Sequence, residues 1–501
     1  MKDIFQRHNL PPALLKLSKD VEAIAKEYGL TTLPVKFVLV SPSELNALAA
    51  YTGFPTRMPH WTYGMEYENI HKQYQYGVSK IYEMVINTDP VIAYLLDTNA
   101  FVDQKLVMIH VYGHADFFKN NRWFHFTNRQ MMDQMANNAS RVKRIAQKRG
   151  ESTVDDFIDI CLTLENLIDP YLNHIKKYPV SNTEDELPNI PIPKLKSSDY
   201  MDRYINTKEF VEAQRKKLEA ERQQRKKFPE HPERDILGFL VEHAPIDQWQ
   251  RDLLAMVREE AYYFAPQRMT KIMNEGWATY IHSKFMTSKL VDDSDVIDYC
   301  DSQSRAIHMG ESLNPYRLGL ALFKNIEERW DRGQFGFEWE MCDDLVKRHT
   351  WDKKLGLGKQ KIFEVRRDHN DLTFIDAFLT PEFCVEEKLF TYKPTGHGTV
   401  EAKQEFSAIK RKLLSQLANG GSPVIQIIDA NHENRRELLL QHEHADRELN
   451  ITKARATLEN LFKIWTRPVH LLTIETDDND VKQHDILMSF DGQDHSKSVV
   501  K

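Results

Sequence analysis

The stretch Val107-Met108-Ile109-His110-Val111-Tyr112-Gly113-His114 decides how this chain is read. Its apolar residues fall at helical spacing, and Leu106, His110, Gly113, His114 and Phe117 share one face. Two imidazoles on one helix face, four residues apart, can hold a single metal ion. Gly113 has no side chain, which leaves room beside His114 for another backbone or a ligand. Far downstream, Asn274-Glu275-Gly276-Trp277-Ala278 offers Glu275 as a third ligand. His282 lies seven residues further along the same helical face and is an alternative one. The expected fold is mainly α, with a zinc-peptidase-like helical N-terminal domain. One part of that pattern is absent. In H-E-x-x-H enzymes a glutamate follows the first histidine and acts as general base, whereas this chain has Val111.

A hydrolase built on these ligands must therefore draw its base from elsewhere. Glu83 is the first candidate, because a carboxylate within the apolar run Ile81-Tyr82-Glu83-Met84-Val85-Ile86 is either functional or held in an ion pair. Glu66 is the second, and Glu259 and Glu260 follow. Asp116 is either an orienting partner for a ligand imidazole or an exposed helix acid. His60 and Trp61 are candidates for a cleft wall, with a core histidine bonded to a carbonyl as the plainer alternative. Tyr82, Tyr262, Tyr263 and His308 are eligible oxyanion donors. Two imidazoles and a carboxylate suit one divalent metal, zinc first, with iron or manganese compatible. The chain carries no P-loop, dinucleotide-binding or serine-hydrolase signature.

A length of 501 residues allows two domains and a large core. The net charge of −7 gives no overall basic surface, so no nucleic-acid partner is expected. Seven Lys/Arg between Arg215 and Lys227 read as a solvated helix face. No apolar run approaches the roughly 18 residues of a membrane span. Four cysteines without a C-x-x-C pair read as reduced thiols in a cytoplasmic protein. Residues 178–198 hold four prolines and form an expected linker within a domain over 1–348. From 349 to 501 the composition suggests a smaller α+β C-terminal domain. Its expected strands are Ile362–Arg366, Leu372–Tyr392, Pro423–Asp429, Glu437–Gln441, Pro468–Glu475 and Asp485–Phe490. The expected helices are Thr399–Ala418 and Thr452–Ile464, which hints at a duplicated helix–strand–strand unit.

Several longer words carry a resemblance. Pro59-His60-Trp61, Gly64-Met65-Glu66-Tyr67-Glu68, Ile81 to Pro90, His110 to His114, Phe117 to Asn121, Arg258 to Phe264, Met273 to Ala278, Asn314-Pro315-Tyr316 and Arg467 to Leu471 closely resemble the SpoVR (stage V sporulation protein R) family. That resemblance implies a link to the spore cortex, a peptidoglycan layer, and to stress responses that involve a PrkA-type kinase. Two functions are then expected as alternatives. One is a cytoplasmic metal-dependent hydrolase of peptide or peptidoglycan-related substrates. The other is a catalytically degenerate peptidase-like scaffold in the kinase-linked pathway, with the C-terminal domain as its docking module.

Overall fold

The structure, a computed structural model, describes residues 10–76, 83–175, 206–225, 228–308, 313–389, 391–394, 400–403, 405–445, 447–476 and 483–500. The expected linker over 178–198 and Tyr82 lie outside them. The chain forms two compact units, one of Met1–Ile158 with Tyr262–Gly421 and one of Asp159–Ala261 with Ser422–Lys501. The architecture is mainly helical with a small C-terminal sheet, as expected.

In the first unit a three-stranded sheet has the order β1-β3-β2, with β1 Val35–Val40, β2 Glu83–Ile86 and β3 Val91–Leu96. The strands β1 and β3 run parallel, and β2 is antiparallel to β3 with Glu83 opposite Leu95. Helix α1, Phe101–Asn120, follows and is buried on every side from Val107 to Phe118. A second such helix, α2, Lys271–Phe285, is buried without a break from Ile272 to His282. Helices buried all round belong at the centre of a large core. Around them pack α3, Val296–Ala306, α4, Pro315–Arg332, α5, Gly358–Asp368, and α6, Asp371–Phe378.

Small residues set how closely these helices approach. A Cβ on Gly113 would lie 2.7 Å from the Ala278 Cα, so the gap beside His114 is filled by the backbone of α2. A Cβ on Gly276 would lie 2.4 Å from the Gly319 Cα, which brings α4 equally close on another side. Asp116 then ties the assembly together. Its carboxylate accepts from the Trp277 indole (3.0 Å), the Arg366 guanidinium and the Thr31 backbone N–H (2.8 Å). It is fully buried and engaged with α2 and α5, so it is neither an exposed acid nor a partner of a histidine.

The helix before α2, Gln248–Met269, runs through Pro266. The break falls at Thr270, whose hydroxyl donates to the Pro266 carbonyl at 2.7 Å. No side chain of α2 caps its own N-terminus. Asp371 does so from α6, accepting from the backbone N–H groups of Ile272 and Met273 at 2.8 Å each. Two orphan donors are satisfied at once, and the carboxylate faces the positive end of the helix.

Ile362–Arg366 and Leu372–Tyr392 were expected as strands, but they form α5, α6 and the helix Pro381–Glu386 before a strand begins at Thr391. Their β-branched and aromatic content serves helix packing, as where the Phe374 ring sits 4.9 Å from that of Phe323 on α4. Residues 349–421 accordingly cluster with the first unit.

The second unit carries a five-stranded sheet in which β4 Val424–His432, β5 Glu437–Glu443, β6 Val469–Thr476, β7 Gln483–Phe490 and β8 His495–Val499 lie in sequence order. Parallel β5 and β6 are joined through α7, Ile451–Trp465. That helix buries Leu458, Leu461 and Ile464 in the same unit as Leu438, Leu440, Val469 and Leu471 of the sheet. The expected repeat survives only as two hairpins, because the helix Phe406–Leu417 belongs to the first unit.

Replacing Asp371 by Ala would leave two buried N–H groups unpaired, at a cost of about 2–4 kcal/mol. We expect a lower urea midpoint for the Asp371→Ala protein and a smaller drop for Asp371→Asn. An unchanged midpoint in both would remove the cap from the account.

Candidate metal centre

The contact between α1 and α2 sets Glu275 opposite both histidines. The ligand atoms of His110, His114 and Glu275 all lie within 4.8 Å of one another, and all three residues are buried. Glu275 Oε2 is 3.4 Å from His110 Nε2 and 3.5 Å from His114 Nε2. The other carboxylate oxygen accepts from Lys271 Nζ at 2.6 Å, one helical turn away.

The hydrogen bonds behind the rings assign a tautomer to each. Gln303 Oε1 can only accept, so its 2.7 Å contact puts a proton on His282 Nε2. The neutral His282 ring then offers Nδ1 as an acceptor, and the 2.9 Å contact to His110 Nδ1 puts the proton on His110. On that tautomer His110 Nε2, 3.4 Å from Glu275 Oε2, turns its lone pair to the carboxylate, a contact that needs a proton or a cation between the two atoms. His114 reaches the same condition directly, because its Nδ1 donates to Asn274 Oδ1 at 2.9 Å. Burial pushes the His114 imidazole down to about 4 and that of His282 to about 3, so both rings are neutral at pH 7. Burial raises Glu275, and the Lys271 ammonium on its other oxygen opposes that rise and keeps the carboxyl ionised.

Two lone pairs and a carboxylate oxygen thus converge in a buried site, where they repel one another unless a cation lies between them. The spacing fits one. A tetrahedral ion with ligands at about 2.0–2.1 Å separates its donors by about 3.3–3.4 Å. The donor set is compatible with zinc on distance and on ligand chemistry.

Glu83 joins the cluster from β2, with Oε1 4.0 Å from His110 Nε2. Burial raises its pKa, the nearby Glu275 adds to the rise, and His110 and Lys271 oppose it. A cavity of about 260 Å³ opens alongside, lined by Glu83, His110, His282 and Tyr316 together with Asp103, Leu106, Val107, Ser302 and Arg305. The Tyr316 ring lies parallel to His110 at 6.2 Å, and burial, then Glu275 and Glu83, raise its phenol.

Other expected residues stand elsewhere. Glu66 is exposed on the helix Trp61–Gln75 and does not line the cavity. Glu259 and Glu260 belong to the other compact unit. Tyr263 donates to the Asn87 carbonyl at 3.1 Å, and His308 is exposed. His60 is buried with Nδ1 2.8 Å from the Thr62 hydroxyl, while Trp61 is exposed. His282 stands behind His110 and outside the converging set. The sequence reading missed Asn274, Gln303, Lys271 and Tyr316 as site residues. Lys271 and Asn274 were open to inference from their helical offsets to Glu275; Gln303 and Tyr316 carry no such signal.

Replacing Gln303 by Leu frees the His282 and His110 tautomers without touching the three converging ligands. The expected result is metal affinity weaker by about 10–100-fold with the thermal midpoint of the metal-free protein little changed. Equal affinity in the variant would show that the relay has no hold on His110.

Residues 9–422 match the family model described as SpoVR like protein, and residues 423–476 match that of the SpoVR-like C-terminal domain. The uncharacterized protein YcgB of Escherichia coli (strain K12) is 26% identical over 474 residues, covering 89% of each chain. No solved structure matches. With both family models in register over nearly its whole length, the chain belongs to the SpoVR family.

Proposed function

We propose that the protein is a metal-dependent hydrolase of peptide or amide bonds. The observation that carries this reading is the convergence of His110 Nε2, His114 Nε2 and Glu275 Oε2, with both imidazole–carboxylate spacings those of a tetrahedral ion, beside a cavity. A divalent ion bound there, zinc by preference, would polarise a substrate carbonyl and acidify a water. The similarity to zinc peptidases lies in this ligand arrangement.

The rest of the chemistry falls to the chain's own residues. Val111 is fully buried in the apolar core and cannot act as a base. Glu83 takes that role from a strand instead of from the histidine helix. Its raised pKa brings the carboxyl nearer to neutral pH, which suits a group that accepts a proton from water and returns it to the leaving nitrogen. The buried Tyr316 phenol keeps its proton and can donate to a carbonyl oxygen as negative charge develops there. Gln303 and Asn274 hold the two imidazoles with their lone pairs forward.

His282 supports an open site. It spends Nδ1 on His110 and Nε2 on Gln303, so it does not close the set as a fourth ligand. The family's association with the spore cortex favours peptidoglycan-derived peptides as substrates in a cytoplasmic setting, and its association with a PrkA-type kinase favours a stress-response role.

His114→Ala should purify without the roughly one equivalent of metal expected in the wild type, since one of three ligands is lost. Glu83→Gln should keep the metal while peptide hydrolysis falls by about 10²–10⁴-fold. Full metal content in the first variant sinks the ligand set, and undiminished turnover in the second moves the base elsewhere. A metal-free wild type would favour the degenerate scaffold.

A further inference from the structure

The cavity beside the cluster has a distinct far wall. Asp103, Leu106, Val107 and His110 all lie on α1 and all line it, so one stripe of that helix forms its floor. Seven residues of helix rise about 10 Å, which is the length of floor leading away from His110. Leu106 and Val107 make its middle apolar. At the Asp103 end the carboxylate is already engaged, accepting from the Ser302 hydroxyl of α3 at 2.8 Å. One turn further along α3 stands Arg305. It is the one Lys or Arg among the described residues lining the cavity; it is exposed there, and its guanidinium has no hydrogen-bond or ion-pair partner among them.

A guanidinium left unpaired on a cavity wall is chemically specific. Its planar fork matches a carboxylate with two parallel N–H···O bonds, which an ammonium point charge cannot reproduce. The other charged groups lining the cavity are both acidic: Asp103, which accepts from Ser302, and Glu83, which lies 4.0 Å from His110. An anionic ligand group therefore meets repulsion at Glu83 and Asp103 and attraction at Arg305, which seats it on the guanidinium.

We infer that Arg305 is the specificity residue of this site and that the substrate is a peptide bearing a carboxylate close to the bond cleaved. The inference rests on the hydrolase reading above for its reaction, and on the cavity alone for its binding. His110 and Arg305 line the same cavity of about 260 Å³, so that carboxylate lies within a few residues of the reacting carbonyl. A free C-terminus and an acidic side chain supply the same group.

The test titrates full-length protein by calorimetry with three probes: acetyl-Ala-Ala with a free carboxylate, acetyl-Ala-Ala-amide, and acetyl-Ala-Glu-amide. Wild type, Arg305→Gln and Arg305→Lys are each measured zinc-loaded and after EDTA treatment. Wild type should bind at least one charged probe about tenfold more tightly than the neutral amide, with and without zinc. The stronger charged probe identifies the source of the carboxylate. Arg305→Gln should bring the preference to within about twofold, and Arg305→Lys should retain part of it. A wild type that does not discriminate, or an Arg305→Gln protein that still does, overturns the inference. Arg305-dependent preference without any hydrolysis would uphold the carboxylate site while refuting the hydrolase, and hydrolysis without that preference would do the reverse.

Discussion

The candidate site depends on one close contact between two buried helices. Gly113 of α1 lies against the backbone of Ala278, and Gly276 of α2 lies against Gly319 of α4. A single methyl at either glycine would meet backbone atoms well inside van der Waals distance, and overpacking of this kind costs about 1–3 kcal/mol when a core can adjust. The spacing is set by backbone against backbone, so it is far stiffer than one cushioned by long side chains. It presents Glu275 to His110 and His114 from the facing helix; Asp116 ties α1 to Trp277 of α2, and Asp371 holds the N-terminus of α2.

That rigidity has an electrostatic consequence. Buried imidazoles with lone pairs forward and an ionised carboxylate among them are costly to hold together in a medium of low polarity. The surrounding bonds make the arrangement unavoidable: Gln303 and Asn274 direct the protons backward, and Lys271 compensates only the far oxygen of Glu275. A site that is strained in its charge distribution and braced in its geometry is poised to take a cation. The same low polarity raises the Glu83 carboxyl toward a useful range for proton transfer.

Much of this was legible in the sequence, for identifiable reasons. Helical periodicity carried α1, α2 and the shared face of Glu275 and His282, and the apolar surroundings of Glu83 marked it before any geometry was known. Glu66 lay in an equally distinctive word, yet its helix leaves it in solvent. What periodicity could not convey was tertiary. Gln303 lies on α3 and meets His282 of α2 only through folding, and Asp371 caps a helix a hundred residues before it in sequence. The strands expected over 362–392 failed for the same reason, since β-branched and aromatic residues there pack between helices.

On the proposed reading, a base on β2 instead of on the histidine helix would separate two duties that H-E-x-x-H enzymes combine in one element. Helix α1 carries the two histidines and lets Val111 join the core, while the strand brings Glu83 to the cavity. The most direct test of this account is zinc K-edge X-ray absorption on the zinc-loaded protein. The account predicts two imidazole nitrogens and carboxylate oxygen at about 2.0–2.1 Å, with a further light-atom ligand from water. A first shell of three imidazoles, bringing His282 onto the ion, or a protein that takes up no zinc at all, would contradict it.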